Sequence, residues 1–202
     1  MSPYLRPTEV IDWQHLAILQ QAAQLASHTS NDPLATAAAC FEWVRDEIRH
    51  SRDFEMNPVT WRASDVLRHR TGYCYAKSHL LAALLRAKGI PAGFCYQRLS
   101  VNDAGPPYSL HGFNAVELPD HGWYRVDPRG NRPGIDAQFT PPIERLAFAL
   151  NSAEEIGFAN ILPDPLNCII AALQQSTTWQ DAITKLPDVT PHQAAALGLT
   201  PR

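Results

Sequence analysis

The sequence predicts an α+β fold in which a mainly helical first half ends in a helix packed on an antiparallel sheet. Apolar runs of helical period recur between residues 12 and 88, strand-type runs follow from 92 to 127, and the connections between those strand runs are short. Short links between consecutive strands favour antiparallel neighbours, and helices segregated from strands define the α+β class. The 202 residues suffice for one sizeable core. They read as one domain over 1–202, with its centre at about 32–150 and a helical C-terminal extension over 151–202.

Taken in order, a first helix is expected from near Asp12 through Ser27, with Leu16, Leu19, Ala23 and Ala26 as its apolar stripe. The second has a sharper start. Asp32 is its N-cap and Pro33 its first helical residue, and Leu34, Ala37, Ala38, Phe41, Val44 and Ile48 follow to about Arg49. Cys40 falls inside it as a core residue. The Asn57-Pro58 pair makes residues 51–62 irregular, and Ser64 reads as the N-cap of a short helix ending at Gly72.

Gly72 to Pro91, GYCYAKSHLLAALLRAKGIP, sets one cysteine at the start of a long apolar helix. Cys74, Ser78, Leu81, Leu85 and Lys88 recur at helical spacing, with Leu84 widening the stripe. Gly72 is expected to permit a tight, positive-φ turn, and Gly89 with Pro91 to stop the helix. Strands are then expected over 92–99, 110–118 and 123–127, with a loop over 101–109 and the turn-like PDHG before Trp123. In the proline-rich last third, a loop over 133–142 precedes a short strand around Arg145 to Ala149. Asp164-Pro165 announces a helix through Leu173, and Thr190-Pro191 a short final one.

Composition excludes several function classes. A net charge of -3 without a run of Lys and Arg argues against a nucleic-acid partner. No window is apolar enough to span a membrane, and the N-terminus lacks the pattern of a secretory signal. The four cysteines, at 40, 74, 95 and 168, are scattered and form no CxxC pair, so neither a zinc ribbon nor a redox dithiol is readable. A cytoplasmic location is the expectation, and reducing conditions there keep thiols free.

Cys74 falls in the first helical turn, where unpaired N–H groups and the positive end of the helix dipole favour a thiolate, the reactive form. A nucleophile needs a base within reach and a group to orient that base. His111 opens one strand of the candidate hairpin and Asp127 closes the other. Strand residues alternate between faces, so a five-residue loop over 118–122 pairs Glu117 with Trp123 and sets Asp127 opposite Phe113, diagonal to His111. A four-residue loop puts the two on opposite faces and then requires a bulge. Each residue also has an ordinary structural reading: Cys74 as a small core hydrophobe, His111 as a surface histidine near a turn, Asp127 as a cap before Pro128.

Three blocks, GYCYAKSHLLAALLRAKGIPAG, LHGFNAVEL and GWYRVDPRGN, resemble the transglutaminase-like superfamily and follow its order. The resemblance covers about Ser64 to Gly130. It implies papain-like cysteine chemistry on a helix-then-sheet core, with Cys74 as nucleophile, His111 as general base and acid, and Asp127 as its orienter. Many members carry Trp two residues after the histidine, where this chain has Phe113.

The implied reaction is acyl transfer or hydrolysis at an amide through a thioester on Cys74, as in peptidases, amidases and transglutaminases. The partner is a peptide or another amide-bearing substrate, with no metal and no cofactor. The Cys74 backbone N–H is the natural first oxyanion donor. Trp61, Gln97 and Asn114 are candidates for the second, and Tyr73 and Tyr75 for walls of the cleft. A noncatalytic binding or scaffold protein of the same fold is the reading from a different class. A zinc site on Cys74, His111 and Asp127 would use an uncommon ligand set.

Overall fold

The computed structural model describes residues 2–102 and 105–202. A 3-10 turn, Pro3–Leu5, leads to helices α1 (Leu16–Ala26) and α2 (Pro33–Glu47), then to β1 (Arg49–His50), α3 (Ala63–His69), β2 (Thr71–Gly72) and the long helix α4 (Cys74–Ala87). Strands β3 (Ala92–Ser100), β4 (Tyr108–Leu118) and β5 (Gly122–Val126) follow, with β6 (Ile156–Gly157) and helices α5 (Asn167–Gln174), α6 (Trp179–Thr184) and α7 (Pro191–Ala196) closing the chain. Asp103 and Ala104 of the expected 101–109 loop lie outside the described residues. This is the α+β architecture read from the sequence: β3, β4 and β5 form an antiparallel meander, and β6 extends it to the order β5-β4-β3-β6.

Helix α4 is the centre of the molecule. Every residue from Cys74 to Arg86 is buried, so the expected single stripe is replaced by a helix enclosed on all sides. Helices α1, α2 and α3 pack on it, as do β3 and β4, and a helix apolar over most of its circumference is the kind that other elements can surround. Its buried polar residues are each given partners. Lys77 Nζ donates to the carbonyls of Arg45 and Ile48 at the end of α2, and the His79 ring N–H donates to the Trp61 carbonyl at 2.7 Å. Gly89, at φ +73°, ends the helix as expected.

Gly72 is needed for a different reason than the sequence suggests. Its φ is not positive. It lies in β2, where a Cβ would come within 2.9 Å of Ala76 Cβ and 3.2 Å of Thr60 Oγ1, so close packing and not turn geometry demands glycine.

Other expectations are corrected. In α1 the buried face is Ile18, Ala22 and Ala26, while Leu16 and Leu19 are exposed; the small alanines bring the helix close to its neighbours. Helix α3 starts at Ala63, one residue before Ser64. Asp12 supplies the capping carboxylate from outside, accepting from the Ser64 N–H at 3.0 Å and from its hydroxyl at 2.5 Å. The strand expected near Arg145–Ala149 reduces to one bridge between Gln138 and Arg145, and β3 takes β6 as its outer neighbour instead. Asp164 does not cap α5; it pairs with Arg6.

Helix α2 carries the expected cap, with Asp32 Oδ2 accepting from the Ala35 N–H at 2.9 Å. Helix α7 has a full capping box between Thr190 and Gln193. The two-residue parallel pairing of β1 with β2 and the short helix α6 have no counterpart in the sequence reading. Among the described residues no helix is long and apolar enough to cross a membrane.

Candidate active site

The hairpin register decides which residues meet. β4 and β5 pair Glu117 with Trp123 and Asn114 with Val126, the register expected of a five-residue loop, but Leu118 also pairs with Gly122, so the connection itself is only residues 119–121. Strand β5 stops at Val126, so β4 has no strand neighbour on that side at Gly112 and before. Other groups satisfy that edge. The Leu110 N–H donates to the Pro187 carbonyl at 2.8 Å, the Tyr75 hydroxyl donates to the Leu110 carbonyl, and the Ser78 hydroxyl donates to the Gly112 carbonyl at 3.2 Å. The first turns of α4 are thereby held against the part of β4 that carries His111. Gly112 makes room for this, since a Cβ there would lie 2.7 Å from the Tyr75 ring.

Just past the end of β5, fully buried Asp127 accepts three hydrogen bonds. His111 Nε2–H donates to its Oδ2 at 2.7 Å, the Ala147 N–H to the same oxygen at 3.1 Å, and the Arg129 N–H to Oδ1 at 3.1 Å. With Nε2 so engaged, Nδ1 is the nitrogen His111 has left for the thiol. Its ring stacks on Phe113 with centroids 5.9 Å apart and meets the edge of Phe148 at 4.9 Å. Three contacts thus fix the imidazole plane.

Cys74, only 7% exposed, stands at the first position of α4. No side chain caps that terminus, and the Cys74 N–H has no acceptor among the described residues. Burial alone would raise the thiol pKa; the charge and hydrogen bond of His111, followed by those of a second histidine, His50, outweigh it and bring the pKa down to about 6. His111 moves the other way. Burial would lower its pKa, yet the charges of Asp127 and Cys74 and its hydrogen bonds to both raise it to about 10. Asp127 is held below the ordinary carboxylate range: burial opposes this, and His111 with the two backbone N–H donors prevails. The arrangement favours a thiolate and imidazolium side by side.

A cavity of about 150 Å³ opens over Cys74 and His111. Tyr73 and Tyr75 line it, as the sequence reading has them, each tied by its hydroxyl to a carbonyl: Tyr73 to Trp179 at 2.5 Å and Tyr75 to Leu110. The C-terminal third reaches the cavity through Phe148, Glu155 and Leu186.

A family model for the transglutaminase-like superfamily matches residues 20–128, more than half of the chain. The chain belongs to the transglutaminase-like superfamily. The match takes in the whole of α4 and β3 to β5 and ends one residue past Asp127. Solved structures with a similar fold include a candidate cysteine protease from Cytophaga hutchinsonii, at 20% identity and a TM-score of 0.47 over 63% of this chain and 41% of that one. The periplasmic domain of TgpA from Pseudomonas aeruginosa is similar at 22% identity and a TM-score of 0.45, over 62% and 45%. The chain's matched part thus spans less than half of either solved chain. No curated protein matches it significantly.

Phe113, where the resemblance led to the expectation of a tryptophan, stacks on the His111 ring and has no N–H to offer. The three candidates for a second oxyanion donor are not brought to the cavity. The Trp61 indole lies under the Arg62 guanidinium, 4.4 Å from it, and its carbonyl holds His79. The Gln97 amide donates to the Phe148 carbonyl at 3.3 Å, and that of Asn114 to the carbonyls of Ser78 and Gly93 inside the core. These amides brace the sheet. The residue the sequence reading misses is His50, which lines the cavity beside Cys74. A lone histidine before the irregular 51–62 stretch carries no local signal; only the parallel pairing of β1 with β2 brings it there.

Proposed function

We infer that this superfamily member is a cysteine-dependent enzyme acting on an amide through an acyl-thioester on Cys74. The supporting observation is the convergence of Cys74 and the His111–Asp127 pair on one cavity, with the charge states of thiol and imidazole biased toward the ion pair. In the proposed sequence the Cys74 thiolate attacks the carbonyl carbon, and the C=O electrons move onto oxygen beside the Cys74 N–H. The imidazolium of His111 then gives its proton to the leaving amine as the C–N bond breaks. Neutral His111 next takes a proton from water or from an acceptor amine, which attacks the thioester and restores the thiolate.

Four unbridged thiols agree with a reducing compartment, and we assign the reaction to the cytoplasm.

Two experiments test this reading. Iodoacetamide should label Cys74 with a rate that rises through pH 6 and is level by pH 8, because the thiol is protonated below its pKa of about 6 and ionised above it. An ordinary thiol, near pH 8.5, is still accelerating there. In His111→Ala the midpoint should move up, since the strongest group lowering the pKa is gone; wild-type labelling with an ordinary midpoint would favour the noncatalytic binding role. A screen of peptides, glutamine amides and isopeptides should give turnover that Cys74→Ala lacks, and turnover surviving in that variant would refute the mechanism.

A further inference from the structure

Cys74 is flanked by two imidazoles from different parts of the fold, and the mechanism so far uses only one. His50 comes from β1, which pairs in parallel with β2 so that His50 lies opposite Gly72, two residues before the nucleophile. The backbone on each side of it is fastened to that strand: the Arg49 N–H donates to the Arg70 carbonyl at 3.0 Å and the Ser51 N–H to the Gly72 carbonyl at 3.1 Å. The ring, in a residue only 6% exposed, meets Tyr73 edge-on at 5.5 Å and borders the cavity.

Its Nδ1 is buried without a hydrogen-bond partner, 3.6 Å from Asp53 Oδ1. Asp53 is itself occupied. Arg129 donates to both of its oxygens, at 2.7 and 3.1 Å, and Arg132 stands 3.5 Å from one of them.

The two histidine–aspartate pairs are therefore unequal. His111 is bonded to its carboxylate at 2.7 Å, as a base requires, whereas His50 sits beside a carboxylate already neutralised by arginine. With Nδ1 turned to Asp53, His50 presents Nε2 to the cavity. An attacked carbonyl directs its leaving group to the general acid and its oxygen elsewhere.

The geometry points to His50 as the second oxyanion donor, its Nε2–H and the Cys74 backbone N–H together holding the tetrahedral oxygen of the acyl-enzyme step. The assignment rests on the reading of Cys74 as nucleophile. It gives the site the donor that Trp61, Gln97 and Asn114 do not supply. With its proton on Nε2, the ring donates to the developing oxyanion, while Nδ1 faces the arginine-bound Asp53 without a hydrogen bond.

Two reagents separate this role from a general effect on the thiol. Iodoacetamide alkylates sulfur by displacing iodide and forms no oxyanion. p-Nitrophenyl acetate does form one: the C–S bond forms as the carbonyl electrons move to oxygen, and the C=O bond re-forms as p-nitrophenolate departs, leaving S-acetyl-Cys74. At pH 9, well above the Cys74 pKa of about 6, His50→Ala should slow acetylation by about 100-fold or more and leave alkylation within about 3-fold. His50→Gln, which returns an N–H donor, should recover about 10-fold of the acetylation rate. Should the alanine variant unfold, His50→Leu fills the space and enters the same comparison. Acetylation and alkylation falling in parallel, or neither changing, would overturn the assignment. Acetylation persisting in Cys74→Ala would instead locate the failure in the nucleophile itself.

Discussion

Replacing Asp127 with Asn should slow acylation of Cys74 by about 10³- to 10⁴-fold while the protein stays folded. Asp127 Oδ2 accepts from both His111 and Ala147, and Oδ1 from Arg129. An asparagine offers one oxygen. If that oxygen takes the Oδ2 position, its NH₂ group confronts the Arg129 N–H, and the negative charge that stabilises the imidazolium is lost. If it is flipped, the NH₂ group faces His111 and imposes the tautomer with its proton on Nδ1, which cannot accept from the thiol.

In either case the thiol should lose its bias toward ionisation, and the labelling midpoint should rise toward the ordinary thiol range. An Asp127→Asn variant with wild-type p-nitrophenyl acetate kinetics would remove Asp127 from the mechanism.

Acid unfolding gives the same residue a second readout. The folded-state pKa of Asp127 is depressed, so the stability it contributes is present above the unfolded value near 4 and is lost as pH falls through the folded value. His111 is raised, so its contribution is complete below about 6.5 and is lost as pH rises through about 10. The difference in melting temperature between wild type and Asp127→Asn should accordingly be largest near pH 5 to 6 and shrink toward both extremes.

The largest loss of stability is expected from Arg86→Met, about 3–5 kcal/mol. Arg86 is fully buried in the last turn of α4. Its Nε and Nη2 donate to the Ala92 carbonyl at 3.2 and 2.8 Å, Nη1 to that of Arg6 at 2.8 Å, and Nη2 to that of Pro163 at 2.5 Å. One planar cation thus ties the N-terminal segment, the start of β3 and the C-terminal third to the central helix. Methionine fills comparable space and leaves all three carbonyls without a donor. For a chain of this length the loss corresponds to a drop of roughly 6–20 °C in melting temperature. Arg86→Lys should recover only part of it, because a point charge cannot span three acceptors. A loss under about 1 kcal/mol in the methionine variant would show that these bonds do not hold the segments together.

How far the sequence is legible follows from which signals are local. Asp32-Pro33 and Thr190-Pro191 act within one turn, and the helices they announce start where expected. The hairpin parity is also local, since loop length alone decides between two registers, and the observed one carries His111 and Asp127 onto the same side. The surroundings of α4 were not legible in the same way. Its sequence shows a stripe, but which neighbours cover the rest depends on α1, α2, α3 and the sheet arriving together.

His50 is the clearest case at the site. Nothing within ten residues distinguishes it from a surface histidine, and its place is set by a pairing with residues more than twenty positions away. Gln97 and Asn114 mislead for the converse reason: their amides suit an active site, yet buried strands also need donors for unpaired carbonyls, and both are used there.

Arg129 connects the two halves of the site by covalent geometry. Its backbone N–H holds Asp127, the anchor of one imidazole, and its guanidinium holds Asp53, which stands beside the other. Only Pro128 separates Asp127 from Arg129, and proline fixes its own φ. The stretch between those two α-carbons therefore covers no more than about 7 Å. The carboxylates beside both histidines are thereby tied to one residue, so losing the Arg129 side chain would free Asp53 while the backbone bond to Asp127 stays.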